Sequence, residues 1–218
     1  MTNAHYHRGT DTLLSHGGRE WRFCGVHPWL AESMPDEESL RGAVRRAMDR
    51  IGDCDVAGIG EIGLDRLRTK AVTQHQRMLF SMQLEIAAER RCPVVLHGAK
   101  CWGEVVRAVK PFSGAIPSFL FHGFSRSDGL LPDIVALNGF VGVGKAVLNE
   151  HAVNYCRLVE RLPADRLLIE TDDDSADGER DALLAAIFAK VAELASITEA
   201  QLDENAARFI GARRANEP

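Results

Sequence analysis

A single α/β barrel domain, residues 1–218, is the fold class this sequence predicts, and two observations carry the prediction. Short apolar runs alternate with segments of helical period along the whole chain. Nearly every run also ends in a polar residue that a buried strand would not choose. Near-continuous apolar strands alternating with helices call for a parallel sheet covered on its outer face. Seven or eight such units favour closure over an open sheet, and the length suits one domain.

The strand candidates, in order, are TNAHYH, WRFCGVHP, DVAGIGEIGLD, CPVVLH, SFLFHGF, GFVGVGKAV and RLLIETD. Helical period appears in PDEESLRGAVRRAMDRIG, with Leu40, Val44, Met48 and Ile51 one turn apart. It appears again in QHQRMLFSMQLEIAAERRC, with Leu79, Met82, Ile86 and Ala87 on one side. From Arg180 to about Arg213 the pattern gives two helices broken near Ser196–Ile197–Thr198. Only fifteen residues separate His7 from Phe23, too few for helix, strand and helix. The second βα unit is therefore expected to be missing, or reduced to something like DTLLSH. The barrel would then be seven-stranded or distorted, left open, or closed by an irregular segment or a neighbouring subunit, the last making a homo-oligomer.

A net charge of −5 argues against wholesale coating of nucleic acid, since non-specific binding draws on Lys and Arg against phosphates. It leaves room for a local basic mouth. Five cysteines without a C-x-x-C pair suit reduced thiols, buried as small hydrophobes. No apolar run follows a basic start, and none approaches the length of a membrane span. A cytoplasmic protein without a membrane partner is the expectation.

In such barrels the chemistry sits at the carboxyl ends of the strands. His5 and His7 close the first strand candidate, Glu61 and Asp65 lie in GEIGLD, His97 ends VVLH, His122 ends FLFH, and Asp172 ends LLIETD. Each signal alone is weak. A His-x-His pair puts both rings on one face of a strand. His97 and His122 singly would more often be hydrogen-bonded structural histidines, and Asp172 a helix cap. Together they form a set of mixed nitrogen and oxygen ligands that suits divalent cations such as zinc, manganese, nickel or iron. A carboxylate buried among isoleucines needs a cation or a proton. Glu61 would find it in metal, its two oxygens bridging a pair of ions, or else in a buried salt bridge.

The ordered set HYH, GVHP, GEIGLD, PVVLH, HGF and ETD, from His5 to about Phe209, resembles the TatD family of metal-dependent hydrolases. That resemblance implies a TIM-like (β/α) barrel with one or two divalent ions (zinc, manganese, magnesium, nickel or iron). It also implies hydrolysis of phosphodiesters, in the best-known cases at the ends of DNA strands. By position it implies His5, His7 and Asp172 on a first metal, His97 and His122 on a second, and Glu61 between them. Asp172 would orient or deprotonate water. His27 of GVHP would face the substrate, or else bond to backbone beside Pro28.

Lys100, Arg126 and Phe124 are further substrate-binding candidates, alongside Arg66, Arg68, Lys70 and Lys145 on the same rim. Ordinary surface charge is the alternative for the cations, and core packing for Phe124. The chain departs from the family pattern at Asn3, where Asp is usual. After His97 it has Gly-Ala-Lys in place of Ser-Arg-Asp, which removes an arginine fitted to clamp phosphate. After ETD it has an acidic loop, read as solvated with Asp173 or Asp174 capping the last helix. The leading expectation is a phosphodiesterase or deoxyribonuclease. The alternatives are a small-molecule hydrolase of amides, esters or lactones, and a degenerate metal-binding barrel.

Overall fold

Seven of the eight strands coincide with the apolar runs singled out in the sequence. The computed structural model describes residues 1–8, 11–51, 56–125 and 128–211. Its strands are β1 (Asn3–Arg8), β2 (Asp11–His16), β3 (Arg19–Cys24), β4 (Val56–Asp65), β5 (Val94–Ala99), β6 (Phe119–Phe121), β7 (Gly139–Val143) and β8 (Leu167–Ile169). They form one sheet in sequential order. From β3 to β8 all pairings are parallel, whereas β2 runs antiparallel between β1 and β3. Past the end of β8 the chain meets β1: Asp172 N–H donates to the His5 carbonyl at 3.1 Å, and His7 N–H to the Asp173 carbonyl at 2.9 Å.

The expected gap at the second unit is therefore filled from within the chain. DTLLSH is a complete antiparallel strand, which corrects the seven-stranded and open alternatives. A two-stranded return needs only the two glycines Gly17 and Gly18, both at positive φ, where a helical crossover would need many more residues.

Alternation along the strands sorts the side chains into an inner and an outer set. Val94 and Leu96, Phe119 and Phe121, Val141 and Val143, and Leu167 and Ile169 join the outer core beneath the helices. Ala4, Phe23, Ala57, Val95, Leu120, Phe140 and Leu168 face inward as an apolar layer. The last helix plugs the amino end of the barrel, with Phe209 stacked 5.7 Å from Phe23 and meeting Phe140 edge-on at 5.9 Å. Two residues further along, the same inward positions become His97, His122, Gly142 and Glu170. The polar site thus sits directly on an apolar floor.

The helices are α1 (Glu37–Met48), α2 (Gln74–Arg90), α3 (Trp102–Val109), α4 (Leu131–Ala136), α5 (Val153–Arg161), α6 (Asp177–Ala195) and α7 (Glu199–Gly211). Asp36 caps α1 and Thr73 caps α2, each accepting from the backbone three residues on. The break between α6 and α7 falls at Ser196, in the left-handed region at φ 53°. Two details differ from expectation. Helix α6 begins after Ala176 with no side-chain cap, so neither Asp173 nor Asp174 caps it. The buried face of α2 carries Gln76 and Gln83 beside Leu79 and Ala87, while Met82 and Ile86 are half-buried. Among the described residues, no helix is long and apolar enough to cross a membrane.

Candidate metal centre

Glu61, near the middle of the wholly buried β4, is the hub of the site. Its two oxygens face two different groups of side chains. Oε1 lies 2.6 Å from His97 Nδ1, 2.6 Å from His122 Nε2 and 3.4 Å from His27 Nε2. Oε2 lies 3.5 Å from His5 Nε2 and 3.6 Å from His7 Nε2, and these same two nitrogens lie 3.4 and 3.6 Å from Asp172 Oδ1. Burial alone would raise the Glu61 carboxyl, but the charge of His122 and the close approach of the His122, His27 and His5 rings outweigh it and hold Glu61 well below the ordinary carboxylate range. His122 mirrors this: burial would lower it, and the charge of Glu61 at 2.6 Å with that of the nearby Glu170 carries it well above the usual histidine value. Asp172 is likewise held down, the approach of His5 and His7 at 3.4 and 3.6 Å overcoming burial.

The half around Oε2 is spaced for an ion rather than for hydrogen bonds. Neither ring nitrogen of the fully buried His5 has a hydrogen-bond partner among the described residues. Buried polar atoms are normally satisfied, so such an orphan calls for an explanation. Ligand atoms each about 2.1 Å from one cation stand roughly 3–3.5 Å from one another. The separations of 3.4–3.6 Å among His5, His7, Glu61 and Asp172 match that spacing. Three overlapping ligand groups result: His5, His7 and Glu61; His5, His122 and Asp172; and His27, Glu61 and His97.

Several of the candidate ligands have a local support, and most of these supports were not singled out in the sequence. Asp65 Oδ2 lies 3.0 Å from His97 Nε2, which turns Nδ1 of that ring toward Glu61. Its other oxygen accepts from the backbone of Leu67 and Arg68. Glu170, the first residue of ETD, is fully buried, accepts from Gly123 N–H at 2.5 Å and lies 3.7 Å from His122 Nδ1. Only glycine fits beside it at 142, since a Cβ there would stand 1.9 Å from Glu170 Oε2. The two buried glutamines of α2 act as braces. Gln76 bonds both backbone groups of Asp65, and Gln83 both backbone groups of Val26, the residue before His27. Their only signal was a pair of amides seven residues apart on an apolar helix face.

The remaining candidates divide. His27 serves both readings at once: Nδ1 accepts from the backbone of Trp29, capping the 3₁₀ turn Pro28–Ser33, while Nε2 points at Glu61. Asn3 uses both ends of its amide on Thr171, so it tethers β1 to the end of β8 where an aspartate could not donate. Lys100 is exposed at the rim, beside Arg66 and Arg107. Phe124 is corrected: it is 0% exposed and packs 5.3 Å from Trp102 in the outer core, out of reach of any substrate. Arg126 lies outside the described residues. The change from serine to Gly98 after His97 also has a steric correlate, because a Cβ at Gly98 would stand 2.3 Å from the Trp102 ring.

A family model described as TatD related DNase matches residues 3–210, which spans every ligand named above. The chain belongs to that family. Among curated members, the 3'-5' ssDNA/RNA exonuclease TatD of Klebsiella pneumoniae (strain 342) is 32% identical over 173 residues, covering 78% of this chain and 64% of its own length. The protein of the same description from Pectobacterium carotovorum (strain PC1) is 34% identical over 154 residues, 70% of this chain and 57% of its own. This chain thus spans about three-fifths of the length of these relatives. Among solved structures, the TatD homologue YJJV of Escherichia coli K12 superposes with a TM-score of 0.69 at 27% identity, covering 91% of this chain and 77% of its own. A TatD family hydrolase of Entamoeba histolytica, 19% identical, shares the fold with a TM-score of 0.66 over 87% of this chain.

Proposed function

We propose that this chain is a metal-dependent phosphodiesterase that removes nucleotides from the ends of single-stranded nucleic acid. The observation that carries the reading is the double-faced placement of Glu61, with a histidine group at each of its oxygens. Membership of the TatD-related DNase family, and curated relatives described as single-strand exonucleases, support it. The residues present fit a pair of divalent cations: His5, His7, Glu61 and Asp172 for one, and Glu61, His97, His122 and His27 for the other. Zinc, manganese, nickel and iron all suit this donor set. Divalent cations held there supply Lewis-acid polarisation of a phosphoryl oxygen and make water acidic enough to ionise near neutral pH.

The protein's own contributions follow from its geometry. Glu61 fixes the two halves relative to one another through one rigid carboxylate. Asp172 is the one carboxylate of the set open to solvent, 43% exposed at its side chain. Facing solvent beside His5 and His7, its carboxylate can orient an incoming water and accept a proton from it. Asp65 holds His97 in the ring orientation that presents nitrogen to Glu61, and the buried carboxylate of Glu170 lies 3.7 Å behind His122. The apolar layer beneath closes the floor, so substrate and water enter from the carboxyl rim alone.

The test pairs metal analysis with strand-end trimming, on wild type and Glu61→Gln. Wild type should hold one to two equivalents of a divalent ion and shorten a single-stranded oligonucleotide from one end. Glu61→Gln should lose most of both. Trimming at the wild-type rate by Glu61→Gln would overturn the assignment.

A further inference from the structure

The GVHP segment runs on into Trp29, which neither the metal ligands nor their supports account for. Its indole is 49% exposed, yet it is not loose. The indole N–H donates to Asp65 Oδ2 at 2.6 Å, the same oxygen that orients His97. The ring meets His27 edge-on at 4.7 Å and His97 at 6.3 Å. The Arg68 guanidinium lies 5.1 Å from the ring centroid. Leu30 and Leu67, 51% and 60% exposed, flank Trp29 and Arg68 in the two loops that follow β3 and β4. These loops are fixed by short-range bonds: His27 caps the 3₁₀ turn, and Asp65 Oδ1 gathers the N–H groups of Leu67 and Arg68.

A large aromatic surface left in water costs free energy unless something covers it, and holding it rigid removes the entropic cost of covering it. Every nucleobase offers a π-face to such a ring, and an arginine beside the ring matches the phosphates of the same strand. A phosphate acidic enough to seek Arg68 and a flat, weakly polar ring belong together in a nucleotide and in few other ligands. Trp29 is one histidine away from Glu61, so a nucleotide with its phosphate at the centre carries its base to the indole.

We propose that Trp29, with Arg68, is the platform on which the base of a nucleotide flanking the scissile phosphate stacks. The proposal rests on the reading of the centre as a single-strand nuclease and names how that centre holds its substrate. Stacking of this kind replaces affinity lost with the arginine missing after His97. It also favours unpaired strands, because a paired base has its faces already covered by its neighbours in the duplex.

The experiment compares two single-stranded oligonucleotides, one normal and one with the two residues at the trimmed end made abasic. Cleavage rates are measured for wild type, Trp29→Ala and Trp29→Phe, and binding by anisotropy with phosphorothioate versions of both strands on the metal-loaded protein. Wild type should prefer the base-bearing strand by roughly 5- to 100-fold in KM and in binding, with kcat little changed. Trp29→Ala should erase that preference while cleaving the abasic strand at the rate of Trp29→Phe, which lacks the same bond to Asp65, and Trp29→Phe should retain most of the preference. Equal losses on both strands in Trp29→Ala would overturn the platform. So would Trp29→Phe failing as badly as alanine, since that result assigns the residue to its bond with Asp65. Wild type that cleaves neither strand would overturn the nuclease reading instead, and the binding comparison would then decide the platform by itself.

Discussion

Asp65 illustrates how much one side chain at the end of a strand can coordinate. One oxygen holds the indole of Trp29 and the imidazole of His97, and the other gathers two backbone N–H groups. Its carboxyl is held below its ordinary value because these bonds outweigh its burial. A partner of this kind fixes tautomer and ring direction, and losing it typically weakens metal binding by about 10- to 100-fold. Asp65→Asn should therefore weaken the cation held by His27, Glu61 and His97 by that factor while leaving the fold intact, as read by titration against a chelator beside a circular-dichroism spectrum. Unchanged affinity would remove Asp65 from the support of the site. In the sequence Asp65 was visible only as one of two carboxylates in GEIGLD. Its task depended on what stood opposite, and neither His97 nor Trp29 is near it in the chain. Glu170 was hidden likewise, between the apolar end of a strand and the more conspicuous Asp172. Phe124 failed in the other direction: the aromatic of HGF had two plausible faces to choose from, and only packing against Trp102 decided it.

Among the elements, the first three strands carry the departure from a regular barrel. Tyr6 and Arg8 of β1 both bond Glu20 of β3 across the intervening β2, Tyr6 at 2.5 Å and Arg8 through two contacts of 2.8 Å. Arg180 of α6 lies over the Tyr6 ring at 4.4 Å and pairs with Asp177. The Tyr6 and Arg8 bonds lower the Glu20 carboxyl below its usual value. A lowered folded value means that Glu20 stabilises the hairpin fully above the unfolded pKa of about 4.3, and that this contribution fades as pH falls through the folded value. Urea unfolding of wild type and Glu20→Gln should differ more at pH 7 than at pH 3. A gap that stays constant between the two would show that the carboxylate's ionisation does not matter. The clip fixes β1, and with it His5 and His7, to the rest of the sheet. Helical period made α1, α2 and the α6–α7 break legible, because that signal is local. DTLLSH was legible as a remnant but not as a strand, since its partners on either side come from tertiary pairing.

For the whole molecule, the site closes the barrel as much as the barrel builds the site. The seam between β1 and the end of β8 is held by two backbone bonds, the Asn3–Thr171 pair and the shared approach of His5, His7 and Asp172. A cation gripping residues from both sides of that seam binds only the folded state. Ligand at 100 times its dissociation constant then adds about 2.7 kcal/mol of stability. For a domain of this size that is worth roughly 5–11 °C in Tm. Thermal unfolding of chelator-treated protein should rise by that amount on adding zinc or manganese, and Glu61→Gln should show a much smaller rise. A full rise in the variant would place the stabilising cation elsewhere.

The sequence by itself determined the order of seven strands and of α1, α2, α6 and α7, and it nominated six candidate ligand positions at the strand ends, because each rests on a local signal. Apolar runs of strand length, helical periods, and polar residues that no buried strand would otherwise keep are all readable one segment at a time. What only the tertiary structure decided was the reversed second strand, the closure at Asn3 and Thr171, the braces from Gln76 and Gln83, and the roles of Asp65, Glu170 and Trp29. Those depend on which side chains meet across the barrel. Two residues far apart in the chain acquire a joint function only when the sheet's register sets them a few ångströms from each other.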